Sequence, residues 1–216
     1  MDFEKIIKTR KSIRSFKNEG ISDKTLLKII EMAKYSASWV NSKHIYTYVV
    51  TGEKLKELKK MHYKNAMKHA EYNSDIKYAH LNDFPNNEQH NMKKWLDERN
   101  NFLSKFENND WNEKSNHLFN APVVVYLAVE KPRNDWMMYD LGAYGDSIML
   151  AAKNLGIDSI TAYTFATFAP ELHKILDIPK NQEIVVGIGL GYRDNDVIND
   201  FIASNDGFDK LVKIIK

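Results

Sequence analysis

The chain has 216 residues, of which 43% are hydrophobic and 28% charged, and its formal net charge is +2. This composition is typical of a globular protein and argues against disorder. The small net charge disfavours nucleic acid as a partner, because nucleic-acid-binding domains usually carry a large basic excess. The sequence contains no cysteine. That excludes disulfides, zinc–thiolate sites, iron–sulfur clusters and thiol catalysis, so redox chemistry would require a bound cofactor.

The sequence also bears on location and metal binding. Its N-terminus lacks the apolar core of a signal peptide, and no run approaches the roughly 20 apolar residues that span a membrane. We therefore expect a cytoplasmic protein without a membrane partner. No two of the seven histidines are three or four residues apart, so no helical turn would present two imidazole ligands. We predict no metal site.

The first half of the chain predicts three helices and one strand. Apolar residues at helical spacing favour helices over residues 2 to 9, from Ser22 onward and over residues 53 to 72. The segment YTYVVT, residues 46 to 51, predicts a strand. From about 73 to 118 polar residues dominate, and we expect helical pieces and loops there. Too few apolar residues are available for a separate core, so we predict one domain over residues 1–216 with a divergent, lid-forming insertion.

The second half of the chain alternates strands and helices. APVVVYLAVEK, residues 121 to 131, is an apolar run typical of a strand covered on both faces. A helix is predicted over 137 to 157, a strand at SITAYTF, a short helix at APELHKILDIP and a last central strand at EIVVGIGLGY. The glycines of that last strand lie inside it and not between a strand and a helix. They indicate close packing and not a dinucleotide-binding turn.

The stretch TRKSIRSF near the N-terminus carries the strongest functional signal. It follows a predicted helix, and an extended segment there would direct Arg10, Ser12 and Arg14 to the same side. Two guanidinium groups that flank a hydroxyl suit a phosphate or another planar, electron-rich group. We expect Ile13 and Phe16 to anchor the segment to the core.

A second polar segment precedes the first strand. YSASWVNSKHIYTYVV places Ser36, Ser38, Asn41 and Ser42 between a helix and that strand. The order of Arg-x-Ser-x-Arg-x-Phe and this loop resembles the nitroreductase family of FMN-dependent flavoproteins. DLGAYGDSIMLAAKNLGI and IVVGIGLGY resemble the family's later segments, so the resemblance runs from end to end, with a poor match from about 60 to 118.

The resemblance implies an α+β fold with a mixed, largely antiparallel central sheet flanked by helices. It implies a homodimer with two FMN sites at its interface. It also assigns three groups of FMN-binding residues. Arg10, Lys11, Ser12 and Arg14 would bind the phosphate, the ribityl chain and the pyrimidine edge of the ring; Ser36, Ala37, Ser38, Trp39 and Asn41 would reach the flavin from the partner subunit; and Ala162, Tyr163 and Thr164 would lie near N5.

The chain departs from the family pattern at three places. Ala37 replaces the loop proline, and residues 43–45 read Lys-His-Ile in place of Gln-Pro-Trp. Near the C-terminus, residues 205–207 read Asn-Asp-Gly where many members have an arginine before a proline. That arginine helps to hold the phosphate in the family, so either Arg193 or Lys11 would take its share here, or FMN would bind more weakly.

The family's chemistry implies that NAD(P)H passes hydride to flavin N5 and that a small electron-poor acceptor, such as a nitroaromatic or a quinone, then takes it in a ping-pong cycle. No side chain need act as acid or base. We expect the stretch from 73 to 118 to select the acceptor, with Trp95, Phe102 and Trp111 as stacking residues. The alternatives are a reductive dehalogenase or flavin-destroying enzyme of the same fold, a non-catalytic flavin-binding protein, and a protein without flavin that binds another phosphate.

Overall fold

The computed structural model describes residues 2–107, 110–204 and 211–216. The chain forms two compact units. One comprises residues 1–78 and 110–199, and the other comprises residues 79–109 and 200–216. The first unit contains the whole sheet. Residues 205–207, where the sequence lacks the family's phosphate-binding arginine, lie outside the described residues.

The sheet has four strands, β1 (Tyr46–Val50), β2 (Val123–Glu130), β3 (Asp158–Ala162) and β4 (Gln182–Gly191). Their order is β1-β2-β4-β3, and all neighbouring strands are antiparallel. The predicted α+β class with a largely antiparallel sheet is therefore confirmed. The strand predicted at SITAYTF ends at Ala162, because Tyr163–Ala166 turn into a short 3₁₀ helix.

Seven α-helices lie in the described part of the chain: α1 (Phe3–Thr9), α2 (Asp23–Ala33), α3 (Gly52–Met67), α4 (Asn86–Leu103), α5 (Trp111–Asn116), α6 (Asp135–Asn154) and α7 (Ala169–Leu176). The Ser22 hydroxyl caps α2 by accepting from the backbone of Thr25. Helix α3 ends at Met67 and not at residue 72, because His69 adopts a φ of 50° that a helix cannot continue. None of the described helices has the length and apolarity that a membrane crossing requires.

Strand β2 is the centre of the first unit. Its residues from Val123 to Val129 are almost completely buried. Val124 and Tyr126 face the side that holds α3 and α7, whereas Val123, Val125 and Leu127 face the side that holds α2 and α6. Helices thus cover both faces, as the continuous apolar run predicts.

The glycines of β4 allow other residues to pack closely against the strand. A Cβ at Gly187 would lie 2.3 Å from the Cβ of Phe165, and one at Gly191 would lie 2.6 Å from Cδ of Pro122. Interatomic distances this short are not tolerated, so neither position can hold a larger residue without backbone movement. The prediction that these glycines serve packing is confirmed.

The second unit contains α4 and an aromatic cluster. Phe201 contacts the rings of Trp95 and Phe102 at centroid distances of 6.0 and 5.6 Å. The hydroxyl of Ser204 donates to the carboxylate of Glu98 on α4. In this unit Trp95 and Phe102 therefore pack against other aromatic rings. Their expected role in stacking with the acceptor stays a prediction.

Candidate functional site

The segment that follows α1 is extended, and its burial alternates. Ile13 and Ser15 are fully buried, whereas Ser12 and Arg14 are half-buried. Ser12 forms a parallel bridge with Ser159 on β3, and the backbone N–H of Ile13 donates to the Ser159 carbonyl at 3.0 Å. Burial of Ile13 contributes roughly 2 to 3 kcal/mol to stability. The apolar residues therefore hold this segment against the core, as predicted.

Arg14 has a defined environment. Its backbone N–H donates to Oδ1 of Asn199 at 2.7 Å, and its Nη1 donates to the Ser12 carbonyl at 3.0 Å. The carbon of the guanidinium group lies 4.5 Å from the ring centroid of Trp111 on α5. A cation over an indole face is attracted by the ring's quadrupole. The Arg14 guanidinium is thus fixed on two sides.

Behind the segment lies a polar network centred on the buried Ser15. The Ser15 hydroxyl donates to Asp194, and Lys114 of α5 donates to the Ser15 oxygen at 3.2 Å. Lys114 also forms a close ion pair with Asp196. Burial raises the pKa of Asp196, but the hydrogen bonds from Lys114 and the Ile198 N–H, with the Lys114 charge, outweigh it and lower the pKa overall. This network fixes α5 to the segment.

The second predicted group lies in the loop between α2 and β1. Trp39 donates its backbone N–H to the buried carboxylate of Asp140 on α6 at 2.7 Å, and its ring lies 4.4 Å from that of Trp136. Val40, Asn41 and Lys43 all adopt positive φ angles between 46° and 57°. Because such angles are unfavourable for non-glycine residues, the contacts with α6 stabilise a strained loop.

Lys43 is held by hydrogen bonds within this loop. Its ammonium group donates to the carbonyls of Lys34 and Ser36 at 3.1 and 2.9 Å, and its backbone N–H donates to the Ser38 hydroxyl. The side chain is therefore engaged with the loop itself. Ser36 and Ser38 are half-buried, and Ala37 is exposed.

The third predicted group stands at the end of β3. Ala162 pairs with Gly187 on β4. The Tyr163 hydroxyl lies 2.6 Å from the hydroxyl of Ser74, which donates to the Ile76 carbonyl. Because Ser12 bridges Ser159 on this strand, the first group and the third group lie roughly 10 Å apart along β3, three residues at about 3.3 Å each. The structure thus brings these two predicted groups together.

Sequence reasoning missed His62 on α3, which is 5% exposed. One ring nitrogen lies 2.9 Å from the Asn116 carbonyl, and the other lies 3.0 Å from the Thr164 carbonyl and 3.2 Å from the Thr164 hydroxyl. His62 therefore joins the end of α5 to the third group. Burial lowers its pKa most, and the charge of His117 adds to this, while the two carbonyls oppose the change.

The low pKa of His62 predicts a pH-dependent stability. In the unfolded chain the imidazole takes up a proton near its ordinary pKa of about 6.5. In the folded state the pKa is lower, so the buried imidazole takes up the proton only at a lower pH. The free energy of unfolding should therefore fall as the pH decreases below about 6.5, by roughly 1.4 kcal/mol per unit of pKa difference. Denaturant melts of the native protein and His62→Gln between pH 7.5 and 5 measure this. Equal slopes in the two proteins would contradict it.

Other residues that sequence reasoning missed are Lys114 and Asp140. Their partners are 99 and 101 residues distant in the chain, so no local pattern could have identified them. Arg193 is an expected substitute ligand for the phosphate, and its backbone pairs with that of Phe16 in an antiparallel bridge. Among the described residues, no group of three or more histidine, aspartate or glutamate side chains could hold a metal ion.

The fold and the site together define an α+β protein that presents a fixed, half-buried cationic segment beside the end of a sheet strand. The sequence model of the nitroreductase family matches residues 7–192. Because this match spans most of the chain, the chain belongs to the nitroreductase family.

Two curated relatives resemble the chain over most of its length. A 4-nitrobenzoate reductase of Pseudomonas putida is 26% identical over 200 residues, which cover 89% of this chain and 86% of that protein. A 4-nitrobenzoate reductase of Nocardioides sp. (strain LMS-CY) is 24% identical over 205 residues, which cover 89% and 81%.

A solved structure has the same fold. The FMN-dependent nitroreductase NfnB from Mycobacterium smegmatis, in complex with NADPH, matches with a TM-score of 0.90 and 20% identity over 99% of this chain and 97% of that one. FMN- and NADPH-dependent NfnB from Sphigopyxis sp. strain HMH matches with a TM-score of 0.89 and 17% identity over the full length of both chains. These matches confirm the predicted fold class.

Proposed function

We propose that this protein is an FMN-dependent oxidoreductase that passes hydride from NAD(P)H to a small electron-poor acceptor, such as a nitroaromatic or a quinone. The observation that carries the proposal is the half-buried Arg14, held by Trp111 and the Ser12 carbonyl beside β3 in a nitroreductase-family chain. Relatives named 4-nitrobenzoate reductases, and fold neighbours described as FMN- and NADPH-dependent, support it.

The residues present fit FMN. Its phosphate carries about two negative charges, and the segment offers the half-buried cations Arg10 and Lys11 directly after α1. Ser12 adds a hydroxyl, and Arg14 adds a guanidinium for the pyrimidine edge of the ring. When bound, FMN supplies hydride acceptance and donation at N5. The proposed ligands are Arg10, Lys11, Ser12 and Arg14, with Ala162, Tyr163 and Thr164 near N5 and Ser36, Ala37, Ser38, Trp39 and Asn41 from a second subunit.

In this proposal the protein positions the reactants and supplies an electrostatic field at the flavin. Arginine keeps its charge at every physiological pH, so Arg14 provides a constant positive field at the pyrimidine edge without a proton transfer. Fixing it before substrate binds avoids reorganisation during the reaction. NAD(P)H and the acceptor would occupy the same face in turn, which gives ping-pong kinetics.

The loop between α2 and β1 supports a homodimer. It carries an exposed apolar group together with the start of α6: the exposed fractions are 81% for Tyr35, 54% for Trp39, 86% for Val40, 54% for Trp136 and 73% for Tyr139. Large exposed apolar side chains that lie near one another mark interaction surfaces. A second copy that covers this face would carry the loop's polar residues to the partner's flavin.

The experiment begins with the visible spectrum of the purified protein. We expect the spectrum to show oxidised-flavin bands, which NADH or NADPH bleaches without oxygen and 4-nitrobenzoate restores. Steady-state rates should give parallel double-reciprocal plots, and the protein should sediment at twice the chain mass.

A protein that stays colourless and takes up no FMN would refute the proposal. Bleaching without recovery by any nitroaromatic or quinone would indicate a flavin store. Halide release from a haloaromatic, or consumption of the flavin under oxygen, would indicate a specialised enzyme of this fold.

A further inference from the structure

The guanidinium carbon of Arg14 lies over the indole ring of Trp111, and this contact has a functional consequence. The distance from the guanidinium carbon to the indole centroid is 4.5 Å. The indole of Trp111 carries an N–H donor and no acceptor atom, and the attraction of a cation to its ring face is electrostatic. The indole can therefore hold the group in place without occupying the donors that bind an anion.

We propose that Trp111 is a positioning residue that orients Arg14 toward bound FMN and so sets both the affinity for the flavin and its two-electron midpoint potential. The proposal rests on the proposed function, and it assigns Trp111 a role different from the acceptor stacking that the sequence suggests. Its basis is the arrangement of α5 around the cationic segment.

Helix α5 is itself fixed at both ends, so its indole has a defined position. The Asp110 carboxylate caps the helix by accepting from the backbone N–H groups of Asn112 and Glu113 at 2.8 and 3.1 Å. In its middle, Lys114 binds Ser15 and Asp196. These contacts tie the helix to the residue directly after Arg14 in the chain.

The end of α5 is held by α3. The His62 ring lies 2.9 Å from the carbonyl of Asn116, the last residue of the helix. His117 follows, and its ring stacks on Tyr63 of α3 at 4.3 Å with an interplanar angle of 18°. Because α3 and the cationic segment both contact α5, Trp111 cannot move away from Arg14 without disrupting several of these part-buried contacts.

A fixed guanidinium binds more tightly than a mobile one. Arginine has many rotamers, and ordering them when a ligand arrives opposes binding. The stack with Trp111 and the hydrogen bond to the Ser12 carbonyl order the side chain in advance. Reduction adds negative charge to the pyrimidine edge of a flavin, so a well-placed cation favours the reduced form more than the oxidised form. Loss of the stack should therefore lower the potential as well as the affinity.

A double-mutant cycle tests the inference with Trp111→Ala, Arg14→Ala and the double variant. Apoprotein is titrated with FMN, and quenching of flavin fluorescence gives the dissociation constant. We expect Trp111→Ala to weaken FMN binding about tenfold in the native background and less than about twofold when Arg14 is absent. If the substitution weakens the binding of reduced FMN tenfold more than that of oxidised FMN, the two-electron midpoint potential falls by about 30 mV.

Three controls separate positioning from a general structural role. Trp111→Phe keeps an aromatic face with a weaker quadrupole and should fall between the native protein and Trp111→Ala. Arg99→Ala breaks another guanidinium–indole pair, Arg99 over Trp95 at 5.5 Å, and should leave affinity and potential unchanged. Thermal melts of each apoprotein report folding, and if Trp111→Ala does not fold, Trp111→Phe carries the comparison.

The outcomes divide clearly. Equal weakening by Trp111→Ala in both backgrounds would mean that the indole acts without Arg14, and unchanged affinity and potential in the native background would mean that it does not act at all. Either result overturns the inference. Native protein that takes up no FMN would instead overturn the proposed function.

Discussion

Replacement of Arg14 by alanine is expected to weaken FMN binding by about two orders of magnitude while the apoprotein stays folded. In the proposed site the change removes charge-assisted hydrogen bonds to the flavin, worth roughly 1.5 to 3 kcal/mol each. The side chain is half-buried, and its packing partner Trp111 remains attached through α5. Fluorescence titration of the apoprotein with FMN measures the loss, and circular dichroism reports the fold.

Arg133→Ala is the matched control for this variant. Arg133 is exposed, pairs with the half-buried Glu183 and belongs to none of the predicted FMN-binding groups. Its removal should leave FMN binding unchanged. If Arg14→Ala retained its flavin with native affinity, the cofactor would have to lie elsewhere on the chain.

Replacement of Gly187 by alanine is expected to destabilise the protein by about 3 kcal/mol and to lower its melting temperature by roughly 10 °C. The new Cβ would lie 2.3 Å from Cβ and 2.9 Å from Cγ of Phe165, and 3.3 Å from the ring of Tyr126. The Cβ of Phe165 is attached directly to the backbone, so no rotamer change can relieve the contact. The backbone of Tyr163–Ala166 would have to move.

The same substitution at Gly142 is expected to have the opposite effect on stability. A Cβ at Gly142 meets nothing within 4 Å, and the residue lies inside α6. Alanine is favoured over glycine in a helix by about 1 kcal/mol, so this variant should be slightly more stable than the native protein. Calorimetry of the two variants compares them directly. A melting temperature for Gly187→Ala equal to the native one would show that β4 and Phe165 are not in close contact.

Elements with strong local patterns could be predicted from the sequence. The apolar run that forms β2 is long and rich in valine, so it predicts a strand covered on both faces without knowledge of its neighbours. Helix α2 could be predicted from its Ser22 cap and its apolar spacing. The ends of elements were less predictable. Whether β3 continues past Ala162 depends on the packing of Phe165 against the glycines of β4, and sequence spacing carries no record of that contact.

The residues of the candidate site also differ in how well the sequence predicts them. The cations and the hydroxyl of the first group are neighbours in the chain, so their pattern is visible in one short stretch. The groups that position them are not. Asn199 reaches Arg14 across 185 residues, Lys114 reaches Ser15 across 99, and His62 joins Asn116 to Thr164 across 54 and 102.

The sequence by itself determined the four strands and the helices outside residues 73–118 to within their ends, the anchoring of the cationic segment by Ile13 and Phe16, and the family to which those motifs belong. The tertiary structure decided that Arg14 lies under Trp111, that Lys43 binds its own loop, and that a histidine with a lowered pKa connects two parts of the site. The physical reason is that local propensities and burial periodicity act over a few residues and leave a pattern in the chain. Side-chain orientation and pKa depend on groups that only folding brings within a few ångströms.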